Sequence, residues 1–198
     1  MADAASERLN RFRTAPNLLT LLRICLAPFL VAAILDGNYA LGFGLFAAAG
    51  LTDALDGLLA RLLRQRSVLG QYLDPVADKL LLSTLFLVLL HKGLMPTTVT
   101  VLVFGRDVGI LVVAAILYAA AGRREFKPSL LGKANTLAQV AAVAAVILHQ
   151  LTEARWVAIF EQWAIWATIA LTVASGLNYA WVAARRVGAA GANGHNGK

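Results

Sequence analysis

A chain of 198 residues that is 59% hydrophobic and only 15% charged departs from soluble composition, and its mean hydropathy of +0.69 makes lipid the expected solvent. The formal charge of +7 would suit a nucleic-acid partner, yet Lys and Arg are spread over alternate loops rather than forming one stripe with interleaved aromatics, which argues against that partner. A single cysteine, Cys25, excludes an intrachain disulfide and a cysteine metal cluster.

In chain order, residues 1–16 are polar, and no small-residue cleavage site interrupts the first apolar stretch, so neither a signal peptide nor a transit peptide is expected. Two readings stay open for this N-terminal segment: a short surface helix with Leu9 and Phe12 in the interface beside Arg8 and Arg11, or a solvated tail. Six mainly apolar stretches follow, near Asn17–Leu35, Tyr39–Arg61, Pro75–Leu94, Thr97–Ala121, Leu130–Leu151 and Trp156–Ala184. At about 1.5 Å per helical residue each is long enough for a bilayer core of roughly 30 Å. The expected fold is all-α, an integral membrane domain over residues 17–186 with six transmembrane helices, followed by a Gly-rich polar tail, 187–198, whose composition predicts disorder.

Charge sets the expected orientation. Arg8, Arg11 and Arg13 precede the first stretch, Arg61, Arg64 and Arg66 close the second, Arg123, Arg124 and Lys127 follow the fourth, and Arg185 with Arg186 ends the sixth. The opposite loops hold Lys92 and Arg155, so both termini are expected in the cytoplasm and the chain in a bacterial inner membrane. Cys25 reads as a small packing residue, and His91, His149 and His195 as exposed side chains scattered far apart.

Charges inside the apolar stretches carry the chemical information, because each costs roughly 2.5–3.5 kcal/mol at a helix centre on insertion scales. Asp53 and Asp56 lie late in the second stretch, and Asp74 and Asp78 open the third. Spacings of three and four place each pair on one helix face, and the alternating direction of the two stretches brings both pairs to similar cytoplasmic depth. Four carboxylates in one low-dielectric volume repel one another, so a cation is expected among them. Oxygen donors without Cys or His select Mg²⁺ or Mn²⁺. A network of salt bridges to Arg61 and Lys79 is the metal-free alternative, although the carboxylates outnumber the nearby cations.

Gly57 follows Asp56, and Ala60 lies a turn further on, so a bulky ligand can approach the backbone between the acids and Arg61. Gly70 and the Asp74–Pro75 step read as a turn leading into a helix with Pro75 at its first position. Singly, each small residue fits helix packing as well as ligand approach.

Together Asp53, Asp56, Gly57, Ala60, Arg61, Gly70, Asp74 and Asp78 spell D-x-x-D-G-x-x-A-R-x8-G-x3-D-x3-D. This resembles the signature of the CDP-alcohol phosphotransferase family, with every position filled. The likeness extends from Pro16, Asn17, Leu19, Thr20 and Arg23 to Gly-Lys-Ala-Asn-Thr at 132–136. The resemblance implies that Asp53, Asp56, Asp74 and Asp78 hold two ions, Mg²⁺ or Mn²⁺. It further implies that Asp53, Asp56 and Asp74 with Gly57, Ala60, Arg61 and Gly70 receive the cytidine diphosphate part of the donor, CDP-diacylglycerol, that Asp78 is the general base, and that the chain forms a homodimer.

No Ser–His or Cys–His pairing stands near the acids and no His-x-Lys motif occurs, so direct in-line displacement is favoured over a covalent phosphatidyl-enzyme. On the acceptor side the candidates are Arg106, Lys133, Arg23 and Asn17. The segments Gly-Arg-Asp-Val at 105–108 and Lys-Ala-Asn-Thr-Leu-Ala-Gln at 133–139 resemble the cardiolipin-forming branch of the family, which makes phosphatidylglycerol the expected acceptor. Glycerol 3-phosphate is the alternative; Asn135 stands where relatives using it commonly show a second Lys. Arg106 has a plainer reading too, pairing with Asp107 or a neighbouring helix. An ion-coupled transporter would bury acids as well, but between repeated halves with broken helices, and neither sign is visible.

Overall fold

The computed structural model describes the backbone of residues 15–62, 68–121 and 130–194, and side chains within 22–53, 79–112 and 130–181 together with Leu55. Among the described residues it is all-helical and without strands. Six helices follow one another: α1 (Ala15–Leu35), α2 (Tyr39–Leu62), α3 (Val68–His91), α4 (Thr97–Ala121), α5 (Leu130–His149) and α6 (Arg155–Gly194). They coincide with the six apolar stretches. By length and composition, two described segments can each cross a membrane, α5 and residues Arg155–Trp181 of α6; α1 and α3 contribute the shorter apolar runs Leu22–Leu35 and Lys79–His91. The N-terminal segment, 1–14, lies outside the described residues.

Two boundaries differ from the sequence reading. The α3 backbone is helical from Val68, so Gly70, Asp74 and Pro75 lie inside the helix and the expected turn before Pro75 is not formed. Pro75 has no N–H to offer the Gln71 carbonyl, a defect that membrane helices tolerate when neighbouring groups satisfy the freed oxygen. At the other end α6 carries on to Gly194 through the segment expected to be disordered. Once a helix is nucleated each further residue adds a hydrogen bond, and Ala189, Ala190 and Ala192 are good helix formers.

The chain forms two compact units, residues 1–94 with 146–153 and residues 95–145 with 154–198. In the first, α1 packs against both α2 and α3. Leu30, Ala33 and Ile34 of α1, Phe46 and Ala49 of α2, and Leu81, Leu82, Leu85, Phe86 and Leu89 of α3 form its buried apolar faces. The turn after α1 is tightly specified. Asn38 N–H donates to Ala33 O at 2.8 Å and Gly37 N–H to Ile34 O at 3.0 Å, with Gly37 at φ +77°, the left-handed ending that glycine adopts at no steric cost. Asn38 Oδ1 then accepts from Leu41 N–H at 3.2 Å and caps α2. The same ending recurs at Gly93, φ +71°, after α3. Lys92 Nζ donates to Leu35 O at 3.1 Å, so the ends of α1 and α3 lie together.

The second unit packs α4 against α6. Its α6 face is inverted relative to a soluble helix. Thr168, Thr172 and Ser175 are buried with Val157 and Ala164, while Trp156, Trp163, Trp166, Leu177 and Trp181 are exposed. Small and polar residues inside with large apolar ones outside is the arrangement of helices that pack in lipid. Cys25, expected to pack, is exposed; on α1 the buried side is marked instead by Arg23 and Leu30, seven residues apart.

Candidate active site

The second helix carries Asp53 and Asp56 three residues apart, followed by Gly57, Ala60 and Arg61, and the third carries Gly70, Asp74 and Asp78, the last two four residues apart. Helical backbone through both segments keeps each acidic pair on one face. The side chains of Asp56, Gly57, Ala60, Arg61, Gly70, Asp74 and Asp78, like that of Asn17 in α1, lie outside the described residues.

Asp53 is described, and it has a buried partner. Arg23 Nη2 lies 2.8 Å from Asp53 Oδ1, with the arginine side chain 3% exposed and the aspartate side chain 52% exposed. Arg23, expected on the acceptor side, is thus the buried partner of an acid of the motif. Its guanidinium is buried between helices, whereas the aspartate side chain is half exposed. Carboxylate oxygens are suitable donors for Mg²⁺ or Mn²⁺, and Asp53, half exposed, fits that chemistry as the one acid of the motif whose side chain is described.

Arg106, the second acceptor candidate, is held by its neighbours. Nη1 donates to Asp107 Oδ1 at 2.7 Å, Nε donates to Ser175 Oγ at 3.1 Å, the guanidinium carbon lies 5.8 Å from the Tyr179 ring centroid, and Cγ is 4.0 Å from where a Cβ on Gly176 would stand. Its side chain is 7% exposed. The plainer reading of Arg106, pairing with Asp107 and a neighbouring helix, is the geometry observed. Lys133 on α5 is exposed. Asn135 is fully buried, and its Oδ1 accepts from Thr172 Oγ1 at 2.9 Å.

Sequence reading passed over a polar seam in the second unit. Asn135 and Gln139 lie one turn apart on α5, and Thr168, Thr172 and Ser175 recur at four and three on α6; all are buried. The signal was available in that spacing, because polar side chains at helical intervals within an apolar stretch mark the face that meets another helix.

A sequence profile described as CDP-alcohol phosphatidyltransferase matches residues 13–174. The chain belongs to the CDP-alcohol phosphatidyltransferase family. Among its relatives, a cardiolipin synthase (CMP-forming) of Rattus norvegicus is 39% identical over 162 residues, covering 73% of this chain and 53% of that protein. The human cardiolipin synthase (CMP-forming) is 38% identical over 150 residues, covering 67% of this chain and 49% of that protein. A CDP-diacylglycerol–glycerol-3-phosphate 3-phosphatidyltransferase of Bacillus subtilis is 33% identical over 180 residues, covering 83% of this chain and 92% of that protein. The chain therefore spans about half the length of the cardiolipin synthases it matches and nearly all of the bacterial glycerol-3-phosphate enzyme. Every residue of the eight-position motif, Asp53 through Asp78, lies within the matched family region.

Proposed function

We propose that this member of the CDP-alcohol phosphatidyltransferase family transfers a phosphatidyl group from CDP-diacylglycerol to the free hydroxyl of phosphatidylglycerol, giving cardiolipin and CMP. The single observation that carries this acceptor is the 39% identity to a cardiolipin synthase (CMP-forming). A second reading, phosphatidylglycerophosphate synthesis from glycerol 3-phosphate, is favoured by the match over 92% of the Bacillus subtilis relative. In either reaction the phosphorus–oxygen bond to CMP breaks as the acceptor oxygen bonds to the same phosphorus.

Asp78 takes the proton of the attacking hydroxyl. Asp53, Asp56, Asp74 and Asp78 would hold two Mg²⁺ or Mn²⁺ ions, which when bound stabilise charge on the pyrophosphate and align it. Gly57, Ala60 and Gly70 leave room for the cytidine diphosphate and Arg61 meets its charge. Lys133, exposed, is a proposed acceptor-side cation. The chain is placed in the bacterial inner membrane with six spans and both termini cytoplasmic, so that the donor keeps its tails in lipid and its cytidine in water; the lipid-facing pattern of α6 supports a membrane setting. A homodimer is the proposed assembly.

The deciding experiment supplies labelled CDP-diacylglycerol and Mg²⁺ or Mn²⁺ with phosphatidylglycerol, glycerol 3-phosphate or inositol phosphate in parallel and identifies the lipid product. Cardiolipin formed only with phosphatidylglycerol is the expected result. Consumption of glycerol 3-phosphate instead selects the second reading, and no CMP release with any acceptor overturns both.

A further inference from the structure

We infer that Arg23 is a positioning residue for the acidic centre, a buried cation that fixes the direction of the Asp53 carboxylate and so tunes how tightly the centre binds its divalent ion. The inference rests on the proposed role of Asp53 as a ligand.

Placement is the first support. The side chain of Arg23 is 3% exposed on a helix whose neighbouring residues, Leu22 and Ile24, point outward, and its Nη2 meets Asp53 Oδ1 at 2.8 Å. A guanidinium buried at a helix contact is costly unless a carboxylate compensates it. Asp53 has no matching need, since half its surface is open. The ion pair therefore holds one oxygen of an acid whose side chain is half exposed. Arginine differs from lysine here in presenting a planar, rigid fork, of which Nη2 makes the contact with Asp53 Oδ1.

Register is the second support, and it is independent of the ion pair. An added Cβ at Gly42 would lie 3.0 Å from Ile34 Cγ1, so α1 and α2 approach closely near their shared turn. From that contact to the Arg23–Asp53 pair is eleven residues along each helix. Eleven residues are close to three full turns, so Arg23 and Ile34 share one face of α1, and Gly42 and Asp53 share one face of α2. Phe46 and Ala49, both buried, lie along that same α2 face. The glycine ending at Gly37 and the Asn38 cap fix the turn, and equal steps down two antiparallel helices then deliver Arg23 and Asp53 opposite each other, about 16 Å away at 1.5 Å per residue. The pair is thus aligned by the packing of the helices and does not depend on a long side chain reaching across.

Groups that orient a metal ligand typically change metal affinity by about tenfold to a hundredfold when removed. The test is Mn²⁺ binding alone, followed by electron paramagnetic resonance on the purified full chain without lipid substrates, for the wild type, R23Q, R23K, D53N and R23Q/D53N, with thermal unfolding of each variant alongside. R23Q is expected to weaken Mn²⁺ binding about tenfold or more, R23K to recover part of it, and the double variant to bind no more weakly than D53N, because both substitutions remove one interaction.

Unchanged Mn²⁺ affinity in R23Q alongside weakened affinity in D53N overturns the positioning role while sparing Asp53 as a ligand. Unchanged affinity in D53N overturns the ligand role and this inference with it. A higher KM for the acceptor in R23Q with Mn²⁺ affinity intact returns Arg23 to the acceptor side and likewise overturns the inference. Should R23Q fail to fold, R23K alone decides: it keeps the charge and loses the fork, so Mn²⁺ affinity equal to wild type refutes a role in fixing direction.

Discussion

Asn135 and Thr172 are joined across two helices by a hydrogen bond from the threonine hydroxyl to the asparagine amide oxygen, 2.9 Å long and shielded from solvent on both sides. Among the described residues the Asn135 Nδ2 atom finds no acceptor, and neither does Gln139 Nε2 one turn along α5. The seam between these helices is therefore polar but incompletely satisfied, which makes its response to substitution uneven.

Thr172→Val is expected to destabilise the chain more than the double variant Asn135→Leu/Thr172→Val. The single change strips a buried amide of its one bond, a loss of about 1–3 kcal/mol, whereas removing both partners leaves no orphan. Interhelical hydrogen bonds in membranes couple by only about 0.6 kcal/mol on average, so the orphaned amide dominates. Thermal unfolding in detergent of the wild type and both variants measures the order; a double variant less stable than the single one contradicts it.

Arg106→Met should lower stability by leaving Asp107, whose side chain is 15% exposed, without its guanidinium. The cost stays below the roughly 3–5 kcal/mol typical of a broken fully buried pair. Arg106→Met/Asp107→Leu should recover most of it. If Arg106 instead bound the acceptor, both variants would raise the KM for acceptor alike, so steady-state kinetics beside unfolding curves separates the roles.

The helices were legible because their hydrophobic stretches are long and sharply bounded. Gly37 and Gly93 stop α1 and α3 with residues suited to positive φ, and both stops lie near the expected ends. Pro75 misled because a helix start is the residue's commonest helical position in water, whereas the α3 backbone runs through it. The acidic motif was readable as chemistry, since carboxylates in apolar stretches have few innocent explanations. Roles of single cations were not. Arg23 and Arg106 both read as acceptor-side cations, with pairing to Asp107 open for Arg106, and three-dimensional packing sets Asp53 against one and Asp107 with Ser175 against the other.

Lys92 and Asn38 should report the same side of the membrane. The Lys92 bond to Leu35 O brings the ends of α1 and α3 together, and α2 begins at the same turn. In a Cys25→Ser background, single cysteines at Asn38, Lys92 and Glu153 should react with an impermeant reagent added outside, while one at Arg64 should react only after permeabilisation. Labelling of Arg64 and Lys92 positions from one side contradicts the six-span arrangement. Lys92→Met by itself should change stability by less than about 1 kcal/mol, since the bond is exposed and replaceable by water.

Asp78 should separate from the other acids when metal supply is varied. Asp56→Asn and Asp74→Asn each remove a charged oxygen donor, so their main defect is expected to be weaker Mg²⁺ or Mn²⁺ binding, with part of the CMP release recovered as the ion concentration rises. In the proposed reaction Asp78→Asn loses a donor and also the group proposed to accept the hydroxyl proton, a contribution of about 10²–10⁴ in rate. Raising the ion concentration cannot restore a proton acceptor, because the amide has no basic oxygen at neutral pH. CMP release from Asp78→Asn should therefore level off at least about a hundredfold below wild type even when metal binding, followed separately with Mn²⁺, is saturated. The same comparison bears on the displacement itself. A single in-line step needs one base and should invert a chiral thiophosphate donor at phosphorus, whereas retention would demand a covalent nucleophile. Near-normal release from Asp78→Asn at saturating metal would take the proton transfer away from Asp78 and assign it to another group near the acceptor hydroxyl.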